Sequence, residues 1–201
     1  MPRVAKPAVA AASNRLEVAD WVHAGLLLLA DQGIVGVRVE ALARGLGVTK
    51  GSFYWHFKDR EALLREMLQS WRRRATLSVI ERLQGRATTP VSRLDSLLQL
   101  PFASPKAQDG ASVELAIRLW ARQDATARAV LEEIDMLRMG FICAIFEELG
   151  FGSDDAQARA SLVYGFMREG ATLPSKLHAE TLTTLISGLL VNGAVPEPAS
   201  A

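Results

Sequence analysis

Nowhere in the 201 residues do β-branched side chains alternate with polar ones at period two, whereas apolar side chains recur every three to four residues in segment after segment. A chain with that one period has only helical stripes to bury, so the expected fold class is all-α. Asn14 and Glu17 stand at capping-box spacing ahead of Leu16, Ala19, His23, Leu26, Leu27 and Ala30, which predicts a helix over about 15–32 that Gly33 and Gly36 end. Val39, Leu42, Ala43 and Leu46 mark a second, short helix before Gly47. Thr49 is placed to cap a third, with Phe53 and Phe57 four apart and inward; Asp59 opens a fourth that runs to about Leu83. Beyond it, apolar patterns predict helices near 91–100, 112–121, 124–149, 153–169 and 175–190, about nine in all, with loops at 85–90 and 101–110.

Composition narrows the class further. At 49% hydrophobic and 22% charged residues the chain is too apolar for disorder, and its single Cys143 excludes a disulfide scaffold and fits a reducing compartment. The longest apolar run, Ala24 to Ala30, is short of the ~20 residues a spanning helix needs, so a soluble, cytoplasmic protein without a membrane partner is expected. Residues 1–13 read as a flexible basic arm and 196–201 as a disordered tail. Net charge is +1, yet residues 1–75 hold 12 Lys+Arg against 7 Asp+Glu and residues 76–201 hold 11 against 15. A basic front and an acidic remainder suit a chain that docks one end on a polyanion.

The run 39–57 has the spacing of a helix-turn-helix, in which the second helix enters the DNA major groove while the first braces it. Ala43 sits at the helix crossing, Gly47 takes the positive φ of the turn, and Phe53 fills the angle between the helices. With Phe53 and Phe57 inward, the outward face carries Lys50, Ser52, Tyr54, Trp55 and His56. Thr49, Tyr54, His56, Lys58 and Arg60 can donate to phosphate oxygens, Lys50 and Ser52 are early enough in the helix to reach base edges, and Gly51 lets the backbone approach.

These residues carry a family resemblance. Leu42-Ala43, the run Leu46-Gly47-Val48-Thr49-Lys50-Gly51-Ser52-Phe53-Tyr54-Trp55-His56-Phe57, then Lys58 and Glu61-Ala62-Leu63-Leu64, make residues 14–65 similar to the DNA-binding domain of TetR-family transcriptional repressors. The resemblance implies phosphate contacts from Thr49, Tyr54, His56, Lys58 and Arg60, and base or groove contacts from Lys50, Gly51, Ser52 and Trp55. Arg38 stands where many members have Ser or Thr at the start of the second helix, and is read as a further phosphate donor. Arg3, Lys6 and Arg15 of the arm can add groove or backbone contacts. It also implies a helix-turn-helix domain at 14–60 followed by a larger helical ligand-binding and dimerisation domain at 61–195. The expected partners are double-stranded DNA, a second copy of the chain and a small-molecule effector; no cofactor is expected.

Within residues 76–201 the resemblance is to a large TetR-like subgroup, carried by Leu119-Trp120-Ala121-Arg122 and Leu162-Val163-Tyr164-Gly165, and it names no effector. Trp71, Phe102, Trp120, Met136, Met139, Cys143, Phe146, Tyr164 and Met167 are the candidate lining of an effector pocket. Asp135 and Arg138 read as a surface pair. No charge occurs from Thr181 to Val195, so the last helix must be covered; its stripe Leu182, Leu185, Ile186 and Leu189, with Ala156, Ala160, Val163 and Met167 of the helix before it, is the candidate dimer interface. His23 and His178 lack partners at metal-ligand spacing, and no phosphate loop or nucleophile motif predicts catalysis. Two other readings stay open: an enzyme using the helical cavity, and an adaptor whose Tyr54-Trp55 face binds protein.

Overall fold

Helices start where their first amides find an acceptor. Asp59 accepts from the Ala62 amide at 2.8 Å, Asp124 from Ala127 at 2.8 Å, and Thr89 from Ser92 at 3.2 Å with Pro90 in the first turn. In the computed structural model, which describes residues 16–86, 89–103, 106–170 and 179–192, this yields an all-helical chain, as expected, with no strand among the described residues. The helices are α1 (Val18–Gly36), α2 (Val39–Gly45), α3 (Lys50–Tyr54), α4 (Arg60–Arg72, continued through a π turn at Arg73–Leu77 into Ser78–Arg86) and α5 (Pro90–Gln99). A 3₁₀ turn at Leu100–Phe102 precedes α6 (Lys106–Ala121), α7 (Ala125–Glu148), α8 (Ser153–Gly170) and α9 (Ala179–Val191).

Two helix starts differ from the sequence expectation. α1 starts at Val18, because Asp20 reaches back to accept from the Glu17 amide at 2.7 Å; Asn14, Arg3, Lys6, Arg15 and His178 lie outside the described residues. Gly33 interrupts α1 at φ 68°, ψ −176°, the break its sequence foretold. α6 begins at Lys106 and runs through Gly110, where a loop was expected, since one glycine weakens a helix by only about 1 kcal/mol.

Two buried clusters hold these helices. The first joins Trp21 and Leu29 of α1, Phe53 of α3, Leu63 and Met67 of α4, Ile117 of α6 and Ile134 of α7. The second joins Leu94 and Leu98 of α5, Ile142 and Phe146 of α7 and Val163 of α8. α4 therefore roots its first half in the cluster that carries α3, while its second half reaches the other part of the chain. α1 is long and apolar enough by hydropathy alone to cross a membrane, contrary to the run-length argument, but here Trp21, Val22, Leu26 and Leu29 are buried within the chain.

Candidate nucleic-acid interface and ligand cavity

The presentation of α3 follows from local sequence. Gly47 adopts φ +68°, and the Val48 amide then donates to the Ala43 carbonyl at 2.9 Å, closing the turn. Ala43 is 3% exposed at the crossing; Phe53 is fully buried, edge-on to Trp21 at 5.4 Å and stacked on Phe57 at 5.3 Å. Because these rings take the inward positions, Tyr54 and Trp55 are left 60% and 82% exposed.

Most of the other sequence-chosen residues also reach solvent. Arg38, Thr49, Lys50, Gly51 and Lys58 are exposed, while Ser52 and His56 are half-buried, with the His56 ring 6.4 Å from Trp21. Arg38 and Thr49 occupy N-cap positions, yet neither side chain caps its helix, so both remain available to an outside acceptor. Arg60 is a correction. Its Nε donates to the Val37 carbonyl at 2.6 Å and its Nη2 to the Ile34 carbonyl at 2.7 Å, with Nη1 on Glu61, so it clasps the end of α1 to the start of α4 rather than reaching a phosphate. Carbonyls left over at a helix end draw such a donor.

Lys50 is held by Glu40 of α2, and this hydrogen bond, with the charge behind it, keeps the exposed Glu40 carboxyl below its ordinary value. Glu40→Gln should release Lys50 and remove a negative charge facing the polyanion. Expected in duplex binding followed by anisotropy is a severalfold gain in affinity. An unaltered affinity means that Lys50 does not reach DNA.

A cavity of about 360 Å³ lies between α4, α5, α6, α7 and α8. Of the residues proposed for its lining only Tyr164 and Met167 belong to it. Phe146 is fully buried in the second cluster and Trp120 in the first, Trp71 lies beneath the Arg138 guanidinium at 5.6 Å, Phe102 meets Phe166 at 6.1 Å, Met139 and Cys143 pack against the second cluster, and Met136 is 69% exposed. Helical spacing names a face but not which neighbour that face meets.

At the polar end of the cavity the pairing of Asp135 with Arg138 is also corrected. Arg138 donates through Nη1 to both Glu114 oxygens at 2.9 Å, through Nε to Thr76 Oγ1 at 2.9 Å, and through Nη2 to the Ala75 carbonyl at 3.1 Å, both inside the π turn of α4. Arg118 binds Asp135 at 2.9 and 2.7 Å, Glu114 at 2.9 Å and the Tyr164 hydroxyl oxygen at 2.8 Å; that hydroxyl donates to Asp135. Burial pushes the Glu114 and Asp135 carboxyls up, but the arginines outweigh it and hold both below their ordinary values. Burial, with the hydrogen bond to Asp135, raises Tyr164, and burial with the nearby Glu147 raises the Cys143 thiol, so neither is ionised at neutral pH.

The expected dimer face splits in two. Ala156, Ala160 and Val163 are fully buried inside the chain, and Met167 lines the cavity, so these four face their own protomer. On α9 Thr183, Ser187 and Leu190 are buried, with Ser187 donating to Asp95 at 2.6 Å, while of the expected stripe Leu182 and Ile186 are half-buried and Leu185 and Leu189 are 59% and 72% exposed. Leu162 of α8 is exposed as well.

Residues 22–67 match the family of bacterial regulatory proteins named for tetR. The tetracycline repressor protein class A from transposon 1721 of Escherichia coli is 29% identical over 161 residues, which are 80% of this chain and 67% of that one. Among solved structures, a transcriptional regulator from Rhodococcus sp. Rha1 superposes with a TM-score of 0.69 at 20% identity, covering 90% of this chain and 100% of the other. The regulator FadR from Bacillus subtilis, in complex with stearoyl-CoA, gives 0.65 at 19% identity over 89% and 100%. At such identities the two superpositions establish the shared fold.

Proposed function

We propose that this chain, a member of the tetR family of bacterial regulatory proteins through its N-terminal domain, is a cytoplasmic, homodimeric repressor of transcription whose hold on its operator is released by a small molecule. The observation that carries the DNA reading is the exposure of Tyr54 and Trp55 beside Arg38, Lys50 and Lys58, with Phe53 and Phe57 already filling the core. Large exposed rings among cations fit a phosphate-lined groove. Phosphate contacts fall to Arg38, Thr49, Tyr54, His56 and Lys58, and base contacts to Lys50, Ser52 and Trp55, with Gly51 allowing close approach. Dimerisation through Leu162, Leu185 and Leu189 supports two α3 helices about 34–36 Å apart, one turn of duplex.

The division of labour is a reading domain over 14–60 and a regulatory domain over 61–195, coupled by α4. This helix carries Leu63 and Met67 in the cluster that seats α3, and Ala75, Thr76 and Val79 on the cavity wall. A molecule that fills the cavity better in a DNA-incompetent arrangement lowers operator affinity by linkage. The tetracycline repressor and the FadR complex support a small-molecule role for such a domain.

The test is binding of a two-fold-symmetric promoter duplex as salt rises. Two cationic phosphate contacts per subunit, from Arg38 and Lys58, predict for a dimer roughly a hundredfold loss between 50 and 200 mM salt. Affinity that barely changes would instead favour a protein partner for the Tyr54-Trp55 face.

A further inference from the structure

The polar end of the cavity is closed on itself in charge. Glu114 and Asp135 face Arg118 and Arg138, and at the rim Arg168 stands beside Glu169, so the charges in and behind the lining sum to zero. Most of the donors are committed too, leaving one N–H on Arg118 Nη1 and one on Arg138 Nη2. Every nitrogen of the Arg118 guanidinium meets Glu114, Asp135 or Tyr164, and every nitrogen of Arg138 meets Glu114, Thr76 or the Ala75 carbonyl. An anion entering here would meet at most those two N–H groups and no net positive charge, because both guanidinium charges are already balanced by Glu114 and Asp135. A cation would have to compete with two arginines for carboxylates they already neutralise. Either ion loses its water without gaining a counter-charge, which is the unfavourable case for buried ions.

Acceptor capacity remains as well. Glu114 Oε1 takes bonds from Arg118 and Arg138, whereas Oε2 takes one, from Arg138 Nη1. A carboxylate oxygen accepts more than one hydrogen bond, so Oε2 can meet a donor from inside the cavity. The facing walls are hydrocarbon: Val79, Leu97, Leu100, Leu115, Phe141 and Met167. A volume of about 360 Å³ is toward the small end of ligand sites.

Resting on the ligand-responsive reading above, we infer that the effector is an uncharged, largely hydrocarbon molecule bearing a hydroxyl or equivalent donor that hydrogen-bonds the Glu114 carboxylate. The same geometry disfavours fatty carboxylates and alkylammonium ions of equal length.

The experiment is calorimetric titration of the full chain, without DNA, using 1-decanol, decanoate and decylammonium at neutral pH. Saturable binding of the alcohol is expected, with both ions weaker by at least about tenfold. Glu114→Gln and Asp135→Asn each leave one arginine charge uncompensated, so in whichever of them folds, decanoate should gain on decanol. Decanoate or decylammonium matching the alcohol on the unmodified chain, or no saturable binding of the alcohol, overturns the inference. So does an unaltered preference in the charge variants. Duplex binding is measured separately: a chain that takes the alcohol but no duplex keeps this inference and discards the regulator, and one that binds duplex but prefers decanoate does the reverse.

Discussion

Tyr54→Ala will weaken operator binding at least about a hundredfold while leaving the melting temperature within a degree or two. The size follows from a hydrogen bond to a charged acceptor, about 1.5–3 kcal/mol, counted once per subunit in a two-fold complex. The spared stability follows from exposure: Tyr54 is 60% accessible, and its buried contact is an edge-on approach to Phe53 at 5.3 Å. Phe53→Ala is the informative contrast. That ring is fully buried between Trp21 and Phe57, and its truncation costs about 3–5 kcal/mol of folding stability, so any loss of DNA binding there comes with a lower melting temperature. Gel shift and thermal denaturation of the two variants side by side separate a reader from a support. Equal operator affinity for Tyr54→Ala and the unmodified chain would remove Tyr54 from the interface.

That contrast was legible in the sequence because its determinants are local. The glycine turn at Gly47, the Phe53 to Phe57 spacing and the cap at Asp59 each depend on neighbours a few residues away, and each is found where the pattern put it. Arg60 was misread because the carbonyls it clasps belong to Val37 and Ile34, more than twenty residues earlier, at a helix end that only the folded chain brings near. Asp135 and Arg138, three apart on α7, were paired by the rule for isolated helices. In the folded chain α7 turns both toward α6, where Arg118 and Glu114 offer stronger partners. On α9 the buried polar contact of Ser187 with Asp95 turns that side inward with Leu190 and leaves Leu185 and Leu189 of the expected interface stripe outside. Leu185 and Leu189, one turn apart, form an apolar strip open to another surface, which is why the dimer proposed above is assigned to them and not to the buried alanines of α8.

Glu114→Ala carries the second large effect. It leaves Arg138 and Arg118, whose side chains are 15% and 16% exposed, without the carboxylate they share, and breaking a buried pair from one side costs about 3–5 kcal/mol. In a chain of this length that is a melting temperature lower by roughly 10 °C. The pH dependence identifies the cause. Glu114 and Asp135 are held below their unfolded values, so the stability they contribute is fully present above those values and is lost as pH falls through the folded ones. The unmodified chain should therefore weaken on acidification below about pH 4, and the Glu114→Ala chain, lacking one of the two groups, should weaken less, so that the two curves converge in acid. Replacing both partners, Glu114→Leu with Arg138→Met, leaves the neutral Arg118–Asp135 pair and should restore much of the lost stability. It also removes the donor that holds Ala75 and Thr76 in the π turn of α4. If that turn is how the cavity speaks to α3, the double variant, which also lacks the Glu114 acceptor, will bind operator as a folded protein yet not release it even at ligand concentrations that calorimetry shows to fill its cavity; release that persists would place the coupling elsewhere.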